Sequence, residues 1–147
     1  MRNILGAAAC GLMLMAFSAC SSDEPNIVAG RDWNPGAQVV ADTTSLFKLD
    51  EPMVIQFNYG KNFDFTVLKT VFYKGTVSEK GKEIWSHEVP VSQKLSSYTL
   101  QGKSKKGGLM SARELTRQKE AGSVVVEFVA DGKVLASKDI TLAVPGK

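Results

Sequence analysis

The sequence predicts an all-β fold, in which two antiparallel sheets form a sandwich of about seven strands with one short helix before the final hairpin. Segments that combine apolar and polar residues in alternation recur at short intervals over residues 37–147, and turn-forming residues separate them. This spacing is typical of β-sandwiches. The last two segments flank Asp131-Gly132, a dipeptide that favours the two-residue turn of a β-hairpin.

The first five strand candidates differ in how their apolar residues are arranged. In the second candidate, Met53, Ile55 and Phe57 point one way. Gln56 and Asn58 point the other way, which predicts one buried face and one solvated face. The third candidate is apolar on both faces, which favours a central strand, and the fourth carries a proline near its end, as edge strands tolerate. The five candidates are residues 38–41, 53–58, 65–73, 83–91 and 95–101.

A single helix start precedes the last two strands. Ser111 is followed three residues later by Glu114, and this spacing is the signature of a capping box, in which both side chains bond to main-chain N–H groups at the start of a helix. Gly122 fits the glycine that often follows the last turn of a helix. The sequence therefore predicts a short helix over residues 112–120.

The final hairpin is the strongest β signal, with predicted strands at residues 124–129 and 133–144. The polar break Ser137-Lys138-Asp139 within the second strand indicates a bulge. The pattern Gly-x-Val-x-Val-x-Phe at 122–128, followed by Asp-Gly, resembles the last two strands of bacterial immunoglobulin-like domains. The resemblance implies an immunoglobulin-like sandwich, and a small up-and-down or OB-like barrel is the alternative.

The N-terminal segment has the pattern of an export signal. A single basic residue, Arg2, precedes an apolar run over residues 4–17 that is too short to span a bilayer. This pattern predicts a removable signal peptide over residues 1–19. Phe-Ser-Ala-Cys at 17–20 resembles the lipobox of bacterial lipoproteins. The resemblance implies that Cys20 becomes the first residue of the mature chain, with a diacylglyceryl group on its sulfur and an acyl chain on its amine.

The lipobox resemblance determines the expected domain organisation and location. Residues 20–36 are rich in Pro, Gly, Asn and Asp and are predicted to be a flexible tether, which leaves residues 37–147 as one domain. Ser21 favours the outer membrane of the cell envelope, with the periplasmic or surface face left open. Because Cys10 lies in the signal peptide and Cys20 carries the lipid, no disulfide is expected. The alternative is an ordinary signal peptide and a freely secreted protein.

Residues that catalyse reactions or bind metals are sparse. His87 is the only histidine, and nothing in the sequence pairs it with a nucleophile or an orienting acid. The chain does not supply the ligand spacing of a zinc or EF-hand site, nor a glycine motif that cradles phosphate. We therefore expect no enzyme, no metal and no cofactor, with a hydrolase centred on His87 as a minor alternative.

One region is strongly basic. Between residues 94 and 119, Glu114 is the only acidic residue. We interpret this region as an electropositive rim for an anionic partner, such as a phosphorylated glycan or lipid headgroup or an acidic loop of an envelope protein. The alternative is a solvated loop and helix face that bind nothing. The candidate rim residues are Lys103, Lys105, Lys106, Arg113 and Arg117.

These features together predict a lipid-anchored envelope protein with a non-enzymatic binding or accessory domain. The alternative function is that of an inhibitor or a chaperone-like lipoprotein that presents the loop over residues 102–110 to a partner protein. The formal net charge of the whole chain is only +3, which argues against nucleic acid as a partner. The membrane, reached through Cys20, is the one partner that the sequence specifies by chemistry.

Overall fold

The computed structural model describes residues 24–145. The predicted signal peptide and Cys20 lie outside the described residues. Within the described part, strands dominate and one short helix, α1, spans Ala112–Thr116. The strands are β1 Asn26–Asn34, β2 Val39–Thr43, β3 Leu46–Lys48, β4 Val54–Asn58, β5 Val67–Gly75, β6 Lys80–Pro90, β7 Ser97–Leu100, β8 Gly122–Ala130 and β9 Lys133–Ala143.

The strands form two sheets that pack face to face. One sheet has five strands in the order β3-β9-β8-β5-β6, and the other has four in the order β2-β1-β4-β7. Neighbouring strands are antiparallel, except that β3 runs parallel to β9. The chain crosses between the sheets at several connections, as from β4 in the four-stranded sheet to β5 in the five-stranded sheet.

This strand order is immunoglobulin-like. In the four-stranded sheet, β1, β4 and β7 correspond to strands A, B and E of an immunoglobulin fold. In the five-stranded sheet, β5, β6, β8 and β9 correspond to strands C, C′, F and G. The strands are therefore divided between the two sheets as they are in that fold. The predicted fold class, an all-β antiparallel sandwich with one short helix before the final hairpin, is therefore confirmed. The strand count is nine in the described residues rather than seven, because β1 and β3 were not predicted.

The structure corrects the predicted tether. Residues 26–34, assigned to a flexible segment by their composition, form β1, which lies between β2 and β4 in the four-stranded sheet. Ala29 and Gly30 of this strand are buried. Arg31 forms ion pairs with Asp42, at 3.1 Å, and with Glu51, at 3.2 Å. Main-chain pairing on both sides stabilises this strand despite its weak apolar pattern.

The core lies between the two sheets and is rich in aromatic rings. The rings of Phe57 and Phe128 stack across the interface with centroids 4.8 Å apart, and neither side chain is exposed. Phe63 and Phe65, from the segment between β4 and β5, close one end of the core. Burial of side chains of this size stabilises the fold by about 1.5–3 kcal/mol each.

The outward face of β4 differs from the prediction that it is solvated. Gln56 is only 6% exposed and Val54 is fully buried. The Gln56 amide nitrogen donates hydrogen bonds to the main-chain oxygen of Gln38, at 3.1 Å, and to the hydroxyl oxygen of Thr99, at 3.4 Å. A polar side chain can be buried here because neighbouring strands satisfy its donors.

Three predicted details near the end of the chain are wrong. The helix ends at Thr116 rather than residue 120, because Arg117 adopts a left-handed conformation with φ 59° and forms the C-cap. Gly122, predicted to end the helix, instead begins β8. The irregularity in β9 lies between Val134 and Ala136 rather than in the polar break at 137–139.

The hairpin between β5 and β6 folds over the outward face of the five-stranded sheet. The main-chain N–H of Val77 donates to Asp139 Oδ1 at 2.7 Å. Lys80 Nζ lies 2.7 Å from Glu127 Oε2 and 4.5 Å from the centroid of the Tyr73 ring. Irregular pairing between the two strands at this end allows the bend, and Glu127 is left only 6% exposed.

The two ends of the sandwich are made of different segments. We call the end at which β1 begins the connector end. Asn26 pairs there with Asn58, Asn58 pairs with Ser97, and Val67 pairs with Pro90. This end therefore contains residues 59–66, residues 91–96 and the Asp131-Gly132 turn. The opposite end, the far end, contains the turn after β1, the loop over residues 102–110 and α1.

Candidate functional site

The loop over residues 102–110 is a well-defined hairpin-like structure at the far end. Lys103 and Leu109 form an antiparallel bridge, and the N–H of Met110 donates to the oxygen of Gly102 at 2.9 Å. At the tip, the N–H of Ser104 donates to the oxygen of Gly108 at 2.9 Å. This main-chain bonding holds the lysines at the tip on a defined turn.

The capping box that the sequence predicts is present at the start of α1. The N–H of Glu114 donates to Ser111 Oγ at 3.2 Å, and the N–H of Ser111 donates to Glu114 Oε1 at 2.9 Å. This hydrogen bond from the Ser111 main chain is the largest cause that lowers the pKa of Glu114 below its ordinary value. Glu114 therefore remains a carboxylate that is committed to the helix start.

Main-chain hydrogen bonds attach α1 to the sandwich. The N–H of Ala112 donates to the oxygen of Glu51 at 2.7 Å, and the N–H of Arg113 donates to the oxygen of Leu49 at 3.0 Å. The N–H of Met53 donates to the oxygen of Met110 at 3.0 Å. The helix and the end of the loop are therefore fixed relative to β4.

Between the loop tip and α1 lies a recess of about 380 Å³, which we call the basic recess. Lys105 and Lys106 from the loop and Arg113 from α1 line it, and all three are exposed. Asp50 and Glu114 also line it, so the local charge is positive by only a small excess. Its lining residues are Asp50, Pro52, Ser104, Lys105, Lys106, Gly107, Leu109, Ser111, Arg113 and Glu114.

The structure brings together three of the five predicted rim residues. Lys105, Lys106 and Arg113 share the basic recess. Lys103 is exposed on the loop but does not line it. Arg117 lies elsewhere: its guanidinium carbon is 4.2 Å from the centroid of the Trp85 ring, as in a cation–π contact. The predicted rim is thus divided between two places.

Trp85, His87 and Arg117 line a second, smaller recess of about 230 Å³ at the side of the sandwich, beside β6. His87 is exposed, and its ring centroid lies 6.0 Å from that of Trp85. The Trp85 indole nitrogen is buried and has no hydrogen-bond partner among the described residues. Alternation along β6 places Trp85 and His87 on one face, as the sequence indicates. The position of Arg117 over Trp85 depends on its own left-handed conformation, which the sequence does not indicate.

Residues 24–145 contain neither a metal-ligand cluster nor a membrane-spanning helix. There, no group of three or more His, Cys, Asp or Glu side chains is arranged to hold a metal ion. None of the helices in that range is both long enough and apolar enough to cross a bilayer.

Comparisons with known proteins concern overall shape. No protein-family model matches the chain, and no curated protein matches it. Among solved structures, the chain is similar to an immunoglobulin-like protein from Pseudomonas aeruginosa, with 15% identity and a TM-score of 0.48, over 84% of this chain and 99% of the other. It is also similar to a β-glucosidase from Erythrobacter marinus, with 15% identity and a TM-score of 0.35, over 68% of this chain but only 14% of that enzyme. The fold assignment rests on the strand order itself.

Proposed function

We propose that this protein is a lipid-anchored protein of the bacterial cell envelope, with its immunoglobulin-like domain acting as a non-enzymatic binding module for an anionic partner. The observation that carries the proposal is the basic recess, where Lys105, Lys106 and Arg113 converge at one end of the domain. The resemblance of residues 17–20 to a lipobox supports the anchor, which is attached at Cys20.

The positions of the anchor and the recess support a role in reaching a partner. The chain enters the domain at Asn26, at the connector end, and the recess is at the far end. β1 alone has nine residues and is about 30 Å long. A module built this way holds its charged end away from its attachment point, so a partner can approach the recess without competing with the anchor.

The anchor is tested by metabolic labelling with palmitate and by measuring the mass of the mature N-terminus. We expect palmitate in the wild-type protein and none in Cys20→Ala. A mature chain that begins at another residue, or that carries no fatty acid, would contradict the anchor. Outer-membrane location and the side of the membrane that the domain faces are tested by membrane fractionation and by protease accessibility on whole cells.

The basic recess is tested by a triple charge reversal, Lys105→Glu with Lys106→Glu and Arg113→Glu. We expect it to abolish capture of the partner from envelope extracts without changing the unfolding midpoint, because all three side chains are exposed. The matched control reverses Lys74, Lys82 and Lys119, which are also exposed and line a different recess. Equal loss in both variants would attribute binding to net charge rather than to the recess.

The alternative function, in which the loop over 102–110 itself inserts into a partner protein, is favoured by the preformed hairpin-like geometry of that loop. Arg113 separates the two functions because it lies on α1 and not on the loop. If Arg113→Glu leaves capture intact while replacement of residues 104–108 abolishes it, the loop acts by insertion. If both changes reduce capture, the recess is the binding site.

A further inference from the structure

The distance between the membrane and the domain is limited by covalent chain length. On the proposed function, the anchor is at Cys20, and β1 begins at Asn26. The connecting chain, residues 21–25, can span at most about 20 Å even when fully extended. This limit is shorter than the roughly 30 Å length of β1, so the connector end must lie close to the bilayer surface.

Apolar side chains project into solvent at the connector end. Leu95 is 54% exposed, Val134 is 53% exposed and Val67 is 46% exposed. They come from three separate segments: the loop between β6 and β7, the start of β9 and the start of β5. Val67 also lines the same shallow recess as the Asp131-Gly132 turn. Three segments at this end therefore each expose one apolar side chain.

The exposed position of Leu95 is built into the main chain. Its N–H donates to the oxygen of Ser92 at 3.1 Å, and its oxygen accepts from the N–H of Phe63 at 2.8 Å. Beneath it, Phe63 and Phe65 are only 3% and 5% exposed, so the aromatic end of the core is already filled. The Leu95 side chain is therefore held outward on a packed base.

Lysines accompany these apolar groups. Lys61, Lys94 and Lys133 are exposed on the same end. Of the acidic residues at this end, Asp64 is engaged, since Tyr59 donates its hydroxyl proton to Asp64 Oδ1 at 2.8 Å and Lys61 lies 3.6 Å from Asp64 Oδ2. Asp131, in the turn between β8 and β9, is exposed. Lysine side chains with apolar neighbours suit the boundary between water and lipid, because their stems can lie in apolar surroundings while the ammonium group reaches phosphates.

We propose that the connector end is a membrane-contact surface that rests on the phospholipid bilayer holding Cys20, with Leu95 and Val134 at the level of the headgroups. This orientation rests on the proposed lipid anchor. The domain then stands on its connector end, and the basic recess points away from that bilayer. A partner of the recess is therefore a molecule displayed away from the anchoring leaflet and not a headgroup of that leaflet.

The test uses the mature lipidated chain, which has no free thiol once Cys20 is modified, because the other cysteine is Cys10. A single cysteine is introduced by Leu95→Cys or, as the matched far-end position, by Lys106→Cys, and is labelled with an environment-sensitive fluorophore. The proteins are reconstituted in vesicles of phosphatidylethanolamine and phosphatidylglycerol that contain a lipid with a quencher on its headgroup. We expect severalfold stronger quenching at position 95 than at position 106.

Two further variants keep the result interpretable. A long glycine-serine insertion after Pro25 removes the length limit, and Val134→Glu with Val67→Glu removes apolar contacts while the reporter remains at position 95. We expect the insertion alone to weaken quenching partly and the two changes together to abolish it. Stronger quenching at position 106, or equal quenching at both positions, would overturn the orientation. A mature chain that carries no lipid and does not float with vesicles would overturn the anchor, and the orientation with it.

Discussion

At the scale of single residues, Gly30 is a position with no room for a side chain. A Cβ placed there would lie 2.5 Å from the oxygen of Ala41 and 2.5 Å from Val40 Cγ1, and backbone cannot move aside without shifting β2. We expect Gly30→Ala to lower the free energy of unfolding by about 1–3 kcal/mol, measured by urea denaturation. Gly36→Ala is the control, because the nearest atom to a Cβ at that position is Asn34 Oδ1 at 3.4 Å. This variant should unfold like the wild type. If both variants lose the same free energy of unfolding, close packing at position 30 is not the cause.

The Lys80–Glu127 pair has a buried partner and an accessible one. The Glu127 side chain is 7% exposed and that of Lys80 is 37% exposed. Because loss of one partner leaves a buried charge without compensation, we expect Lys80→Met to lower the urea midpoint clearly. Lys82→Met, on the same strand and exposed, should leave it unchanged. The double variant Lys80→Met with Glu127→Leu should recover most of the loss, and failure to recover would show that the lysine stabilises by packing.

Among single residues, the side-chain contacts that the sequence predicts correctly join residues that are close together in the chain. Ser111 and Glu114 are three residues apart, and their reciprocal bonds form as expected. The burial of Gln56 could not be predicted, because its partners come from positions 38 and 99. The basic region was predicted as one rim. Arg117 instead lies over Trp85, a residue distant in the sequence, because Arg117 adopts a left-handed conformation.

At the scale of elements, the capping box of α1 links helix stability to pH. The pKa of Glu114 is lowered, chiefly by the hydrogen bond from the Ser111 main chain. The unfolded chain therefore takes up a proton before the folded one does, so the contribution of Glu114 is complete above its ordinary pKa of 4.5. It is lost as pH falls through the lowered folded value. We expect Glu114→Gln to flatten the fall in stability between about pH 5 and pH 3, measured by urea unfolding at each pH. An unchanged slope would contradict this linkage.

Removal of the N-cap provides an independent measurement on the same element. We expect Ser111→Ala to cost about 1 kcal/mol, because the N–H of Glu114 loses its acceptor. Ser111→Asp retains an acceptor and should cost less. If the two variants are equally destabilised, the main-chain bonds between α1 and the sandwich, rather than its cap, hold the helix start.

The strands that were predicted and those that were missed differ in their side-chain pattern. The hairpin of β8 and β9 has period-two apolar residues around a two-residue turn, with Asp131 and Gly132 at φ 52° and 76°. In β1, by contrast, only Ala29 and Gly30 are buried, and Arg31, Asp32 and Asn34 are polar. Such a strand exists because main-chain groups of β2 and β4 bond to it from both sides, and pairing of this kind leaves no mark in a single sequence. β3 has only three residues, too few to establish a period.

At the scale of the whole molecule, β1 is an integral part of the domain, although its composition resembles a tether. It lies between β2 and β4, and Arg31 joins it to Glu51, whose main-chain oxygen in turn accepts a hydrogen bond from the start of α1. The strand therefore connects the four-stranded sheet to the elements that form the basic recess. Loss of β1 should affect both the fold and the recess, although the recess itself contains no residue of β1.

This dependence predicts different behaviour for two truncated chains. A chain that begins at Glu24 keeps β1 and should unfold in a single cooperative transition in urea. A chain that begins at Ala37, the boundary suggested by composition, exposes one edge each of β2 and β4 and uncovers the core beside Ala29. We expect it to lack a cooperative transition and to show weak chemical-shift dispersion by NMR. If the shorter chain unfolds with the same midpoint and the same denaturant dependence as the longer one, β1 is dispensable. In that case the length limit on the connector no longer holds, and the membrane-contact proposal loses the premise on which it depends.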